Sequence, residues 1–397
     1  MSEESEFDTV ITRRDTGSLK WERYRHRDVL PFWVADMDFK VAAPIRQALE
    51  ERLQHPFYGY TVPPEDMADV VIAHLADEFH WQVKPEWIVW LPGVVPGLAV
   101  SCRAFCPDGD EIVVNPPIYH NFFDAHEPQR QTLVRVPLHR QDGRWTYDMP
   151  AMEAAFNDKT RLLMMCSPHN PTGTVFTLEE LHRMAELCSR YGVIMVSDEI
   201  HADLVIDTQA RHYPTAAACP AMADHIITLM SASKTWNIAG LNCSYAIISN
   251  PDLRRRFRAV SQSILPSVPP LAYCATRAAY LHGGPWRAEL LNYLAGNYAC
   301  VQAQLAGVKG LVVEPIQATF LAWIDARGLG LEDAKGFFED HGVGLSAGEQ
   351  FGQPHYLRLN FACPRSVLEE GLRRMKIAVA TLESQGDAES GSAVSRR

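Results

Sequence analysis

Five short, almost unbroken apolar runs limit this chain's fold more than any other feature. They occupy residues 87–91, 111–114, 161–166, 192–197 and 226–230, and helical periodicity fills much of the sequence between them. Each run is too short for a buried helix and apolar on both faces, the pattern of strands covered above and below. Strands alternating with helices predict an α/β fold built on a mainly parallel sheet. In such sheets the reactive groups collect at the carboxyl ends of the strands. Tyr119, Asn170, Asp198 and Lys234 each follow or close a different run.

The flanking segments fill in the organisation. Residues 44–53 and 65–79 have helical periodicity, the first with Pro44 in its opening turn. Between them, F-Y-G-Y-T at 57–61 is an aromatic turn suited to packing or to reaching a neighbouring subunit. After residue 285 the pattern changes to a long helix and short strands near 311–313, 319–324 and 356–361. A helix near 331–341 and a last one from 364 to 382 complete it. The expected domains are an N-terminal segment 1–45 joining the small domain, a large domain 46–285 and a small α+β domain 286–382. The Ser-, Gly- and Asp-rich stretch 383–397 is expected to be disordered.

Hydrophobic residues make up 47% and charged residues 21%, which suits a globular protein. The net charge of −11 argues against nucleic acid or an anionic membrane as the main partner. Residues 1–10 are acidic and polar, unlike a signal peptide, and no apolar run is long enough to span a bilayer. Nine cysteines without a C-x-x-C pair read as reduced thiols of a cytoplasmic protein, with no metal site.

An amine, a carboxylate, an amide and an aromatic ring at the mouth of one sheet suit pyridoxal phosphate. The amine bonds its aldehyde, and the carboxylate holds its pyridine nitrogen protonated. The strand-to-helix turn at Gly93, Val94 and Val95 offers free backbone N–H groups for a phosphate. Arg358 lies mid-strand between two leucines, so it either joins a buried ion pair or grips a ligand carboxylate.

Several motifs sharpen this reading. They are W-V-A-D-M-D-F at 33–39, F-Y-G-Y-T at 57–61, P-G-V-V-P at 92–96 and S-P-H-N-P-T-G at 167–173. Further on stand S-D-E-I-H-A-D at 197–203, S-A-S-K-T-W-N-I-A-G-L at 231–241 and Y-L-R-L-N-F-A-C-P-R at 356–365. With them the chain resembles the fold-type I pyridoxal-phosphate enzymes, and among these the MalY/PatB group of cystathionine β-lyase-like C–S lyases. The resemblance implies an aspartate aminotransferase-like fold, with a seven-stranded, mainly parallel sheet in the large domain.

It also implies residue roles. Lys234 is the Schiff-base lysine and the base that moves the Cα proton, and Asp198 pairs with the pyridine nitrogen. Asn170 bonds the ring oxygen, and His201 either does the same or is structural. Tyr119 stacks over the ring, while Gly93, Val94, Val95, Ser231 and Ser233 hold the phosphate. Arg358 takes the substrate carboxylate, with Asn170, Trp33 and Ala35 on the substrate side. Tyr60 reaches the phosphate of the other subunit, which implies a homodimer. Many aminotransferases of this type carry an arginine eight residues after the lysine, where this chain has Asn242.

The implied reaction is α,β-elimination from an S-substituted L-cysteine to a thiol, pyruvate and ammonia. An aminotransferase, or an oxidative or decarboxylating variant acting on a sulfur-linked amino acid, would use the same residues. A binding protein that reuses the fold would carry a damaged constellation, and none is visible.

Overall fold

The apolar runs become strands of one seven-stranded sheet. In the computed structural model, which describes residues 5–394 with side chains through residue 385, these strands are β1 (Ile88–Leu91), β2 (Glu111–Val114), β3 (Thr132–Arg135), β4 (Thr160–Cys166), β5 (Ile194–Asp198), β6 (Ile226–Met230) and β7 (Ser244–Ile247). Their order across the sheet is β1-β7-β6-β5-β4-β2-β3. Every pair from β6 to β3 is parallel, and β7 is antiparallel to both of its neighbours. Because β7 runs against both, β1 points the same way as β6, and its carboxyl end falls on the same edge.

The larger compact unit comprises Lys40–Leu291 and Gln317–Thr319. Its longer helices are α1 (Ala43–Leu53), α2 (Met67–Phe79), α3 (Val94–Phe105), α4 (Leu178–Tyr191), α5 (Pro251–Ile264) and α6 (Pro270–His282). Helix α4 starts with a capping box in which Thr177 and Glu180 satisfy each other's backbone N–H groups. Helix α3 lies close against the sheet at Gly97, where a β-carbon would come within 3.0 Å of Leu91 and Leu229. The buried core there joins Leu91, Leu98, Val114, Cys166 and Leu229.

A second tight approach bears on the lysine loop. Trp236, fully buried, donates its indole N–H to the carbonyl of Gly283 at 3.1 Å. A β-carbon at Gly283 would sit on that indole nitrogen and 2.5 Å from the Ala279 carbonyl. Gly283→Ala is therefore expected to cost about 2 kcal/mol by overpacking, read as a lower midpoint in urea unfolding. Reduced cofactor retention should accompany it, because Trp236 stands two residues after Lys234.

The other unit comprises Met1–Phe39, Asn292–Ile316 and Phe320–Arg397. Helix α7 (Gly284–Leu305) contributes residues to both units, so the division falls inside a continuous helix where no turn residue marks it. An antiparallel sheet follows, from β8 (Val312–Val313), β9 (Leu321–Asp325), β10 (Ser346–Ala347) and β11 (Tyr356–Asn360), in the order β8-β9-β11-β10. The last helix, α8 (Arg365–Val394), runs past residue 382 into the stretch expected to be disordered. Elongating a nucleated helix gains a hydrogen bond for each residue added, which favours continuation even through weak helix formers. Residues 395–397 lie outside the described residues.

The charged N-terminal segment has a structural use in this unit. Lys20 is fully buried, with its ammonium 2.8 Å from Asp38 Oδ2 and donating to the Asp36 carbonyl at 3.2 Å. Arg13 and the Trp21 indole N–H bind the other Asp38 oxygen at 2.7 and 2.9 Å. Burial pushes the Asp38 carboxyl up, but Lys20, Trp21 and Arg13 together outweigh it and hold it below the usual aspartate range. The stability it contributes is thus present above the ordinary aspartate pKa and lost as pH falls through the lowered value. Lys20→Ala is expected to cost about 3 kcal/mol at neutral pH, because it removes one partner of a buried pair. The deficit relative to the parent should shrink in denaturation curves as pH falls below the ordinary aspartate range and Asp38 takes up a proton.

Candidate active site

Four adjacent parallel strands deliver four of the expected side chains to one edge of the large sheet. Tyr119 follows β2, Asn170 follows β4, Asp198 closes β5 and Lys234 follows β6. At the usual strand spacing the four ends span roughly 15 Å. Asp198 sits opposite Cys166 on one side and Leu229 on the other, in the middle of this row.

Asp198 is 4% exposed, and its Oδ1 accepts the Ile200 N–H at 3.0 Å. Burial raises its carboxyl to about 7. Glu199 pushes the same way, while the Ile200 N–H and the charge of Lys234 oppose the rise. A carboxyl poised near neutrality and interacting with an amine is a mark of a functional site. Asn170 is buried at 5% exposure in a loop where the peptide bonds before Pro168 and Pro171 are cis. Neighbouring His169 closes that loop through Thr172 at 2.9 Å, and burial lowers its pKa to about 3. His201 is buried in the turn after Asp198, with its carbonyl accepting from Leu204 N. The Tyr119 hydroxyl accepts from Asn121 Nδ2 at 3.0 Å, and its ring stands edge-on to His120.

The phosphate candidates lie at the same edge. Leu91 pairs with Ser244 and Met230 with Tyr245, so the ends of β1 and β6 flank β7. Gly93 is the N-cap of α3. The first helical turn presents the N–H groups of Val94 and Val95, while Pro96 has none. Ser231 differs from its expected use: its hydroxyl donates to the Cys243 carbonyl at 2.6 Å and accepts from Ser233 N at 3.1 Å. That hydroxyl proton ties the lysine loop to the strand after it. Asn242 adopts a left-handed conformation, φ 62°, which asparagine tolerates better than arginine. Tyr60 is fully exposed, beside exposed Phe57, Tyr58 and Val62.

Three of the expected residues belong to the other unit. Arg358 is 4% exposed in β11, lies over the Phe351 ring at 4.7 Å and donates to the Trp33 carbonyl at 2.8 Å. Asn360 Nδ2 donates to the carbonyls of Val34 and Asp36 at 2.6 and 2.7 Å. The stretch carrying Trp33 and buried Ala35 is therefore fastened to β11 from one side and to Lys20, through Asp38, from the other.

Asn121, Trp236 and the buried carboxylate of Glu199 have no role in the sequence reading; the partners of Trp236 and Glu199, Gly283 and His212, lie far along the chain. The one available signal was a second carboxylate, Glu199, directly after an apolar strand. Among the described residues no three His, Cys, Asp or Glu side chains form a metal site.

The donor set fits pyridoxal phosphate: a buried carboxyl near neutrality, an amine on the adjacent strand end and a helix N-terminus at the same edge. The fold is of the aspartate aminotransferase-like class. Within it, the chain belongs to the aminotransferase class I and II family, whose model matches residues 28–375. It is 36% identical over 389 residues to cystathionine β-lyase PatB of Bacillus subtilis, covering 94% of this chain and 100% of that protein. The crystal structure of OvoB is 42% identical with a TM-score of 0.92, covering 94% of this chain and 98% of that one. Cystalysin from Treponema denticola, which contains a pyridoxal 5'-phosphate cofactor, is 31% identical with a TM-score of 0.91, covering 95% and 99%.

Proposed function

We propose that this protein is a pyridoxal-phosphate-dependent C–S β-lyase that cleaves an S-substituted L-cysteine to a thiol, pyruvate and ammonia. The observation that carries this is buried Asp198 within electrostatic reach of Lys234, which follows the adjacent strand, in a chain 36% identical to a cystathionine β-lyase. Pyridoxal phosphate, when bound, supplies the sink for the electron pair released at the substrate Cα.

The chain's own residues do the rest. Lys234 takes the Cα proton and holds it while the β-thiolate leaves. Asp198 accepts the hydrogen bond of the ring N–H, and Tyr119 covers the ring. Asn170 and His201 bond the ring oxygen. Val94 and Val95, with Gly93 and Ser233, bind the phosphate, and Ser231 holds their neighbourhood in place. Arg358 grips the α-carboxylate bidentately, with Trp33 and Ala35 lining the substrate side. Tyr60, exposed in the single chain, reaches the phosphate of a second copy, so the working form is a homodimer. Nine free thiols suit the reducing cytoplasm, and among the described residues no helix is long and apolar enough to cross a membrane.

Incubation with cystathionine and with S-alkyl cysteines tests the reading. Free thiol with stoichiometric pyruvate is expected. A 2-oxo acid formed only when an amino acceptor is added would instead identify an aminotransferase.

A further inference from the structure

Strand alternation places Ser197 and Glu199 on the face opposite Asp198. On that hidden side the Glu199 carboxylate is fully enclosed. Its Oε1 accepts from the Ser197 hydroxyl at 2.8 Å and from Thr215 N at 2.8 Å, and its Oε2 lies 2.9 Å from His212 Nε2. The Ser197 hydroxyl also meets Thr215 Oγ1 at 2.9 Å, and Glu199 N donates to the Leu229 carbonyl at 2.8 Å on the strand that leads to Lys234. His212 is buried at 3% exposure, with no hydrogen-bond partner on Nδ1. None of these contacts belongs to the roles assigned above, and all of them converge on the residue after Asp198.

We propose that Glu199, held by His212, Ser197 and Thr215, is the positioning residue of Asp198: it fixes the strand end that carries the carboxyl and sets a carboxylate behind the cofactor ring. A buried carboxylate is costly unless its oxygens are bonded. Here both are, by groups from 212–215 as well as from the strand itself. An apolar residue would pack this interior with less desolvation. What Glu199 adds that such a residue cannot is charge. It acts on Asp198 in the same direction as burial, and Lys234 acts against both.

The other ionisable neighbours are accounted for. Cys166 from β4, Cys219 and Tyr245 from β7 all feel the carboxylates, and burial holds each in its neutral form. Asp203, beyond His212, is matched by His74 at 3.0 Å and Arg287 at 2.5 Å. Glu199 directly follows Asp198, and its oxygens are bound by His212, Ser197 and the backbone of Thr215.

The inference rests on the cofactor reading and is tested on the holoenzyme by titrating the visible absorbance of bound pyridoxal phosphate. Glu199→Gln keeps the shape and removes the charge. Loss of a nearby negative charge disfavours the cationic form of the cofactor site, so the titration midpoint should fall by about half a pH unit or more. His212→Leu, which strips Oε2 of its partner and leaves the carboxylate less firmly held, should move the midpoint as well. Ser197→Ala removes one hydrogen bond without touching charge and should leave the midpoint in place. Lower melting temperatures in all three variants with unmoved midpoints would overturn the proposal in favour of a purely structural role. If Glu199→Gln fails to fold, the His212→Leu midpoint decides alone. A wild type with no visible band that Lys234→Ala abolishes would instead bring down the cofactor reading, and this inference with it.

Discussion

Lys234→Ala protein is expected to purify colourless with added pyridoxal phosphate and to release no measurable pyruvate from cystathionine. Two losses combine in this one change: the covalent anchor of the cofactor and the base that handles the Cα proton. General acid–base catalysis alone is worth up to about 10⁴-fold, so the residual rate should fall at least that far. The fold should survive, because Lys234 lies in a loop whose neighbouring structure is pinned by Trp236 and Ser231. A near-UV circular dichroism spectrum like that of the parent, with the visible band gone, would separate lost chemistry from lost structure. A variant that keeps its colour and a tenth of its activity would remove Lys234 from the mechanism.

Asp198→Asn should separate activity from stability in opposite directions. The amide keeps the side chain's shape and cannot carry the negative charge that stabilises a ring N–H, so turnover should drop by about 10²–10³-fold, as when a preorganised electrostatic group is removed. Burial raises the folded-state carboxyl to about 7, well above its value in an unfolded chain. Folded protein therefore binds a proton that the unfolded chain has released at intermediate pH. The associated stability is complete below the ordinary aspartate pKa, declines as pH rises and is gone above about 7. The asparagine variant escapes this loss. Freed of cofactor, it should be more stable than the parent above neutral pH by on the order of 4 kcal/mol, and the two should converge towards pH 4, roughly the ordinary aspartate pKa. Urea titrations of both proteins across that range provide the check.

The parallel half of the large sheet was legible because its strands are buried on both faces, and burial on both faces leaves an unbroken apolar run. The four candidate residues Tyr119, Asn170, Asp198 and Lys234 stood out for the same reason, each following or closing such a run. Strand β7 carried no comparable sign: Ser244–Ile247 is four residues long, opens with a serine and follows a loop. Strand β3, with Thr132 and Arg135 exposed at the sheet edge, has no continuous apolar run to detect. The bonds that hold the site were less visible still. Lys20 meets Asp38 eighteen residues away and Glu199 meets His212 thirteen away, distances at which neither period nor spacing carries information. Ser231 shows the converse, since its place in the lysine motif suggested phosphate while its hydroxyl is committed to Cys243.

The left-handed turn at Asn242 has a consequence for anyone wishing to convert this enzyme towards a transaminase by transplanting the arginine found there in many aminotransferases. A point substitution would ask a long β-carbon-bearing side chain to occupy φ 62°, at about 1–2 kcal/mol of backbone penalty, and its guanidinium would leave from an exposed corner. Transplantation there is a loop-grafting problem spanning 238–243, and libraries built on the single codon should return mostly weakened lyases.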